Sequence, residues 1–416
     1  MILHSVLLQV LMLFFLFTPF LPEAKADNTD YGTDAWEYLQ YIDENLGYRI
    51  SDISVEPDTS LRDMAGDWIA EKLREIGYKN INPIYFENEG NELVSYYVRK
   101  PGASEKRVVI GAHYDCVDTK GVEDNGTGVA VLLELAKRFL NTDTPMTLDF
   151  CFFDGEETLG FSGSYSYLEQ RGTEDILCYI NLDCLGAGDI MYAYGGDYEE
   201  DRLVRDWVFN MAMSTGDTLG IPLSPLPDTI ENPKTPSRPD SSDHYYFNKN
   251  GIPYVYFEAN RWVKEDGTPA LLKKQHMYNS ADPAFSVTNG QIIHTKEFED
   301  LKTLEEIVPG RIKEHMTGFS AIVSTMLRTL DEDAPNKYAV YERPVPEETE
   351  EETTSEPETE ETTSETTEET SAESTEETGS ETPEESPMKT ARVLYLAIGI
   401  PVLIGLILLI IFSFRR

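Results

Sequence analysis

The feature that most narrows the fold is an ordered alternation of short apolar runs with helical stretches. Residues 107–112, 147–153, 176–182 and 252–257 read as buried strands, and residues 128–140, 165–170 and 202–213 read as helices between them. Runs apolar on both faces and separated by helices specify an α/β chain. They predict a three-layer αβα arrangement with a mixed, mainly parallel central sheet, in a single globular domain. Ahead of this core, a helix from Thr33 or Asp34 through Gly47 carries a Trp36, Leu39, Ile42, Leu46 stripe, and a second runs over 61–76 and stops at Gly77. Residues 81–86 and 93–98 read as a hairpin, and 311–330 as a closing amphipathic helix.

The ends of the chain obey other rules. Residues 1–26 combine an apolar run from Val6 to Leu21 with Ala24-Lys25-Ala26, the pattern of a secretory signal peptide cut before Asp27. Its first residues carry His4 but no Lys or Arg, so an uncleaved anchor is the alternative reading. Residues 393–414 form an uncharged, apolar stretch of transmembrane length, followed by Arg415-Arg416. The terminal arginines favour a cytoplasmic end, with everything before the span outside the cell membrane. Residues 344–388 are almost entirely Glu, Thr, Ser and Pro, and such a segment buries too little apolar area to order itself. It reads as a disordered stalk. The domain between signal and stalk is 27–343.

The chain has a net charge of −41; setting aside the 18 glutamates between Pro346 and Pro387 and the four cations after them leaves about −27. An acidic domain lacks the basic footprint of a nucleic-acid binder. Four cysteines, Cys116, Cys151, Cys178 and Cys184, allow three pairings, of which two bonds or none form. The sequon Asn125-Gly126-Thr127 falls inside the site argued below, and a secreted chain without a usable sequon leans bacterial. Oligomeric state is not legible.

In sheets of this kind ligands sit beyond the carboxyl ends of the strands. The residues that follow the apolar runs are His113-Tyr114-Asp115, then Glu123-Asp124-Asn125-Gly126 opening a helix, then Asp154-Gly155-Glu156-Glu157, then Asp183. Parallel strands would bring these side chains to one rim. Histidine with several carboxylates suits zinc, or another divalent transition metal such as cobalt or manganese. A carboxylate shared by two cations gives a site that activates water and polarises a carbonyl together.

These runs resemble the co-catalytic dizinc aminopeptidase family, which also holds glutaminyl cyclases and transferrin-receptor-like ectodomains. The similarity rests on His113-Tyr114-Asp115, Asp124-Asn125-Gly126-Thr127-Gly128, Gly155-Glu156-Glu157 with Gly163-Ser164, Asn181-Leu182-Asp183, and Ser242-Asp243-His244 before Gly251-Ile252-Pro253. It covers roughly residues 36–330 and implies a zinc-exopeptidase-like domain. By that resemblance two Zn2+ would be held: one by His113 and Asp183, the other by Glu157 and a late histidine, with Asp124 bridging. Asp115 would orient His113, and Glu156 would be the general base that takes a proton from the attacking water and passes it to the leaving amine. The late histidine is His294 or His276. His294-Thr295, followed by acids and a final helix, fits the family's pattern better, although Phe298 stands where the family has an acid and Glu299 and Asp300 come later. His315 reads as a surface residue of the last helix. Asp243 and His244 either line the cleft or cap the helix before Asn250. The loop after Glu157 is one residue longer than usual, at Thr158-Leu159.

The function implied is a membrane-anchored, extracellular metallo-aminopeptidase that hydrolyses N-terminal residues from peptides. The alternatives are a single-zinc glutaminyl-peptide cyclase and a catalytically inactive binding ectodomain.

Overall fold

The computed structural model describes residues 30–56, 58–199, 202–226, 242–262 and 278–342. The expected signal, stalk and membrane span, and His276, lie outside them. No helix among the described residues is long and apolar enough to cross a membrane.

Helix α1 (Thr33–Asn45) starts without a side-chain cap from its own residues. The buried carboxylate of Glu134 takes that role, accepting the Gly32 and Ala35 amides at 3.0 Å each and the Ser320 hydroxyl at 2.5 Å. Helix α2 (Ser60–Ile76) ends at Gly77, as expected. Strands β1 (Asn82–Asn88) and β2 (Asn91–Lys100) form the hairpin. Its two loop residues, Glu89 and Gly90, both have positive φ, the geometry that matches the twist of paired strands.

Next come β3 (Ser104–His113), α3 (Thr127–Phe139), β4 (Met146–Phe153), α4 (Ser162–Arg171), β5 (Ile176–Leu182) and β6 (Ile190–Tyr194). The stretch 202–213, expected as one helix, is divided. Strands β7 (Asp197–Glu199) and β8 (Arg202–Val204) pair with each other, and α5 (Trp207–Leu219) begins only after Asp206. Asp206 sets that boundary because its carboxylate accepts the Val208 and Phe209 amides. The chain continues through β9 (Ser224–Pro225), α6 (His244–Lys249), β10 (Tyr254–Asn260), a short 3₁₀ turn (Pro283–Thr288), α7 (Leu301–Ile307), α8 (Arg311–Thr329) and α9 (Ala334–Lys337).

Eight strands form one sheet in the order β1-β2-β4-β3-β5-β10-β6-β9. Its centre, β4-β3-β5-β10, is parallel, while β1-β2, β2-β4 and β6-β10 pair antiparallel. Alternation along β3 shows the layering. Val108 and Ile110 join the core under α1, α2, α3, α5 and α8, whereas Val109 joins an aromatic-rich core under α4 and α6. The parallel strands all deliver their carboxyl ends to the same rim, which is where the candidate ligands lie.

Candidate metal centre

The four strand-end groups and the late histidine converge. His113, at the end of β3, points its Nε2 to 3.4 Å from Asp124 Oδ1 and 3.3 Å from Asp183 Oδ1. His294 places its Nε2 2.9 Å from Asp124 Oδ2 and 3.1 Å from Glu157 Oε2. The two oxygens of Asp124 thus face two different partner sets, His113 with Asp183 and Glu157 with His294. Within each set the ligand atoms lie within 4.8 Å of one another. Of the two late histidines, His294 stands at the cluster, and His276 lies outside the described residues.

The donors suit a divalent metal on chemical grounds. They are imidazole nitrogens and carboxylate oxygens, and Glu157 Oε1 is buried without a hydrogen-bond partner. The electrostatics demand positive charge. Burial opposes charge on His113, but Glu156, Asp183, Asp115 and Asp124 outweigh it and hold its pKa well above the usual value. Burial likewise opposes charge on His294, and Glu157 and Asp124 push its pKa up to about 12. Burial and the neighbouring Asp124 push Glu157 up to about 7. Asp124 is held low because its bonds to both histidines outweigh its burial.

Each ligand is held from behind. Asp183 Oδ2 accepts the Ser242 and Tyr256 hydroxyls, both at 2.9 Å, while Oδ1, which also accepts the Cys184 thiol at 3.3 Å, faces His113. Asp115 does more than orient a ring. His113 Nδ1 lies 3.2 Å from the Asp115 carbonyl oxygen and 3.5 Å from its carboxylate, while the carboxylate accepts the amides of Glu156 at 3.1 Å and Glu157 at 3.3 Å. Asn125 is wholly buried; its amide group donates to the Leu182 carbonyl and accepts from Gly128 and Cys184. Glu299 accepts the amides of Glu123 at 2.9 Å and Asp124 at 3.4 Å, so it supports the loop that carries Asp124 although it follows His294 by one residue more than the family's acid. Phe298, in the expected acid position, is buried against Phe285.

Arg49 fastens the same loop from the other side. Among the described residues its buried guanidinium donates to backbone carbonyls, those of Tyr114, Leu46, Lys120 and Gly121, at 2.5–3.0 Å. Nothing in the sequence pointed to Arg49; Ser242 and Glu299 stood in the motifs read above without a supporting role. Tyr256 was within reach of a period-two reading of β10, along with Glu258 and Asn260.

Glu156 belongs to neither partner set yet lines the same cavity, of about 230 Å³, with Phe161, Tyr256, Glu258, Asn260, Asn279 and Ile293. Burial pushes its pKa well above the carboxylate range, with Glu157, Asp183 and Asp243 adding and His113 opposing. Asp243 stands at the N-cap position of α6, before Asn250, and neither it nor His244 is among the residues of the cavity. Asp243 is buried and makes no side-chain cap to α6, and His244 stacks on Tyr254 in the core. His315 is partly buried, with Nδ1 2.8 Å from the Gly186 carbonyl oxygen, rather than a surface residue. The four cysteines are free and buried.

A parallel-centred sheet with a histidine–carboxylate cluster at its carboxyl rim is the arrangement of a metal-dependent hydrolase. The profile of Peptidase family M28 matches residues 96–313, more than half of the chain, and the chain belongs to that family. The enzyme class expected from the sequence, a metallo-aminopeptidase hydrolysing peptide bonds, is the class of that family and its aminopeptidase relatives. The chain is 24% identical over 297 residues to the alkaline phosphatase isozyme conversion protein of Escherichia coli (strain K12), covering 64% of this chain and 83% of that protein. It is 36% identical over 103 residues to the probable lipoprotein aminopeptidase LpqL of Mycobacterium tuberculosis (strain ATCC 25618 / H37Rv), covering 24% of this chain and 21% of that one. Among solved structures, LapA of Legionella pneumophila superposes with a TM-score of 0.50 at 16% identity, covering 71% of this chain and 72% of that one. This likeness is one of fold.

Proposed function

We propose that the protein is a two-zinc aminopeptidase, tethered to the cell membrane with its catalytic domain outside. The observation that carries the two-metal reading is the division of Asp124, one oxygen toward His113 and Asp183, the other toward Glu157 and His294. The tether rests on the uncharged run 393–414 with Arg415-Arg416 after it.

When bound, zinc supplies Lewis acidity, lowering the pKa of a water and polarising the scissile carbonyl. The chain's own groups do the rest. Glu156 accepts the water's proton and returns it to the leaving amine. It lines the cavity beside both partner sets and belongs to neither. Asp115 fixes His113 and the backbone beneath both glutamates. The cavity is smaller than the roughly 300–1,000 Å³ that encloses a drug-sized ligand, so it encloses a single terminal residue. Its sealed end at the close of β10 presents Glu258, Asn260 and Asn279, polar groups suited to a free α-ammonium.

The test is metal content of the purified protein after dialysis against trace zinc. Close to two zinc per chain, falling to about one in His294→Ala, supports the reading. About one in the unaltered protein, with cyclisation of N-terminal glutamine, points to the cyclase instead, and none in a folded sample leaves a binding ectodomain.

A further inference from the structure

We propose that an aromatic strip running outward from Phe161 over Tyr245 and Tyr246 to Tyr165 binds the residue immediately after the scissile bond. It would give the enzyme a preference for an aromatic or large apolar side chain there. The inference rests on the aminopeptidase reading and adds a substrate preference to it.

The direction of the substrate follows from the burial of the cavity wall. Glu258, Asn260, Asn279 and Ile293 at the β10 end are 2–3% exposed, whereas Phe161 is partly exposed and the His294 side chain is 33% exposed. Among the described lining residues Phe161 and His294 are the two that reach the surface, so a peptide whose N-terminal residue sits at the β10 end leaves past one of them, and the aromatic rings continue outward from Phe161.

The rings beyond Phe161 are continuous. Its ring centroid lies 6.0 Å from that of Tyr245; Tyr245 is 4.8 Å from Tyr246, and Tyr246 is 4.9 Å from Tyr165. Tyr245 and Tyr246 are half-buried and Tyr165 is 45% exposed, so the strip presents ring faces and edges at the surface. Lys249 sits over both α6 rings, 5.3 Å from Tyr245 and 5.9 Å from Tyr246, and holds them as a pair. Such a surface gains most from another ring or a large aliphatic group.

Phe161 is held at the rim against its own preference. Its φ of 59° lies in the left-handed region, uncommon for a bulky residue. Its amide reaches the Glu156 carbonyl at 3.4 Å, and its carbonyl accepts the Tyr165 amide and the Ser164 hydroxyl. The loop's extra length is pinned as well. Leu159 is buried and Asn88 donates to its carbonyl at 2.7 Å. The loop that carries Glu156 and Glu157 is therefore closed with Phe161, which lines the cavity, is partly exposed and packs edge-on to Tyr245.

The experiment uses the zinc-loaded full chain and matched dipeptide amides sharing one N-terminal residue and differing only in the second, Phe or Gly. The expected ratio of kcat/KM, Phe over Gly, is about tenfold in the unaltered protein. It falls toward one in Tyr245→Ala and Phe161→Ala and is retained in Tyr245→Phe. The ratio is taken within each variant, so partial unfolding does not distort it. A ratio near one in unaltered protein that hydrolyses simple aminoacyl amides overturns the strip alone, as does a full ratio in Tyr245→Ala. Failure to hydrolyse any aminoacyl amide overturns the aminopeptidase reading and the strip with it.

Discussion

Replacing Asp115 by Asn tests how the centre is held, because it changes one atom in a group that touches three others. The carboxylate accepts the Glu156 amide on Oδ1 and the Glu157 amide on Oδ2, with His113 Nδ1 3.5 Å from Oδ1. An asparagine keeps one acceptor oxygen and turns an NH2 group toward the other backbone N–H. One buried amide then loses its acceptor, at a cost of about 1–3 kcal/mol. That range corresponds to roughly five- to 150-fold in an equilibrium constant at 1.4 kcal/mol per decade. It brackets the 10–100-fold loss of metal affinity usual when a group behind a ligand is altered. The orphaned amide is present with or without zinc, so the loss should appear in the melt of the chelated protein and, through the displaced His113 ring and Glu157 backbone, in zinc affinity as well. Asp115 also raises the pKa values of buried Asp154 and Asp243, and removing its charge relieves that repulsion. The assay is zinc titration against a chromophoric chelator, paired with thermal melts of the chelated protein. Unchanged zinc affinity in Asp115→Asn would show that the two amides and the His113 ring are held by something else.

Glu156→Gln should lower kcat by roughly 10²–10⁴-fold while leaving zinc content unaltered; turnover near the original would remove Glu156 as the base. Chelated protein should lose thermal stability as pH rises between about 4.5 and about 8. Glu157 and Glu123, with folded pKa values raised to about 7 and about 8, contribute stability that is complete below 4.5 and lost as they ionise. His294, raised from 6.5 to about 12, extends the loss upward, whereas depressed Asp124 acts only below 3.8. Zinc should flatten the profile and release protons on binding, measurable by calorimetry in buffers of different ionisation enthalpy; a flat profile without zinc would contradict the assignment. Glu134→Leu strands the Gly32 and Ala35 amides and should cost about 2–6 kcal/mol in denaturant unfolding, so a loss below 1 kcal/mol would mean the helix start is satisfied otherwise.

Asp124 was legible in the sequence as the acid of the loop that opens the next helix, and His113, Glu157 and Asp183 for one reason. In a parallel-centred sheet, the end of an apolar run also gives the position of the next polar side chain on the rim. His294 was not legible that way. It sits on a loop after a 3₁₀ turn, with φ of 60°, and only the family resemblance singled it out. Asp206 displaced a helix start by five residues because the apolar pattern before it continues through β8, and pattern alone does not reveal a cap. Glu299 was hidden by an offset of one residue, which its long side chain absorbs. Arg49 was hidden more deeply. Its partners are backbone carbonyls, which every residue carries, and a cation two residues beyond Gly47 reads as solvent-exposed.

The stretch matched by the family profile begins at residue 96 and ends at 313, yet it is not a piece that can be cut out. The guanidinium under the loop that carries Asp124 comes from Arg49, ahead of that stretch. The carboxylate of Glu134, inside it, is answered by Gly32 on one side and Ser320 on the other. A fragment trimmed to the matched borders would keep Arg138 beside Glu134 but lose the Gly32 and Ala35 amides and the Ser320 hydroxyl from that buried carboxylate, and the loop that carries Asp124 would lose its cationic anchor. Inheritance has to treat these distant segments as a unit. Domain shuffling at the visible borders would transmit the ligands without the means of holding them, so viable junctions lie outside Gly32 and beyond Ser320.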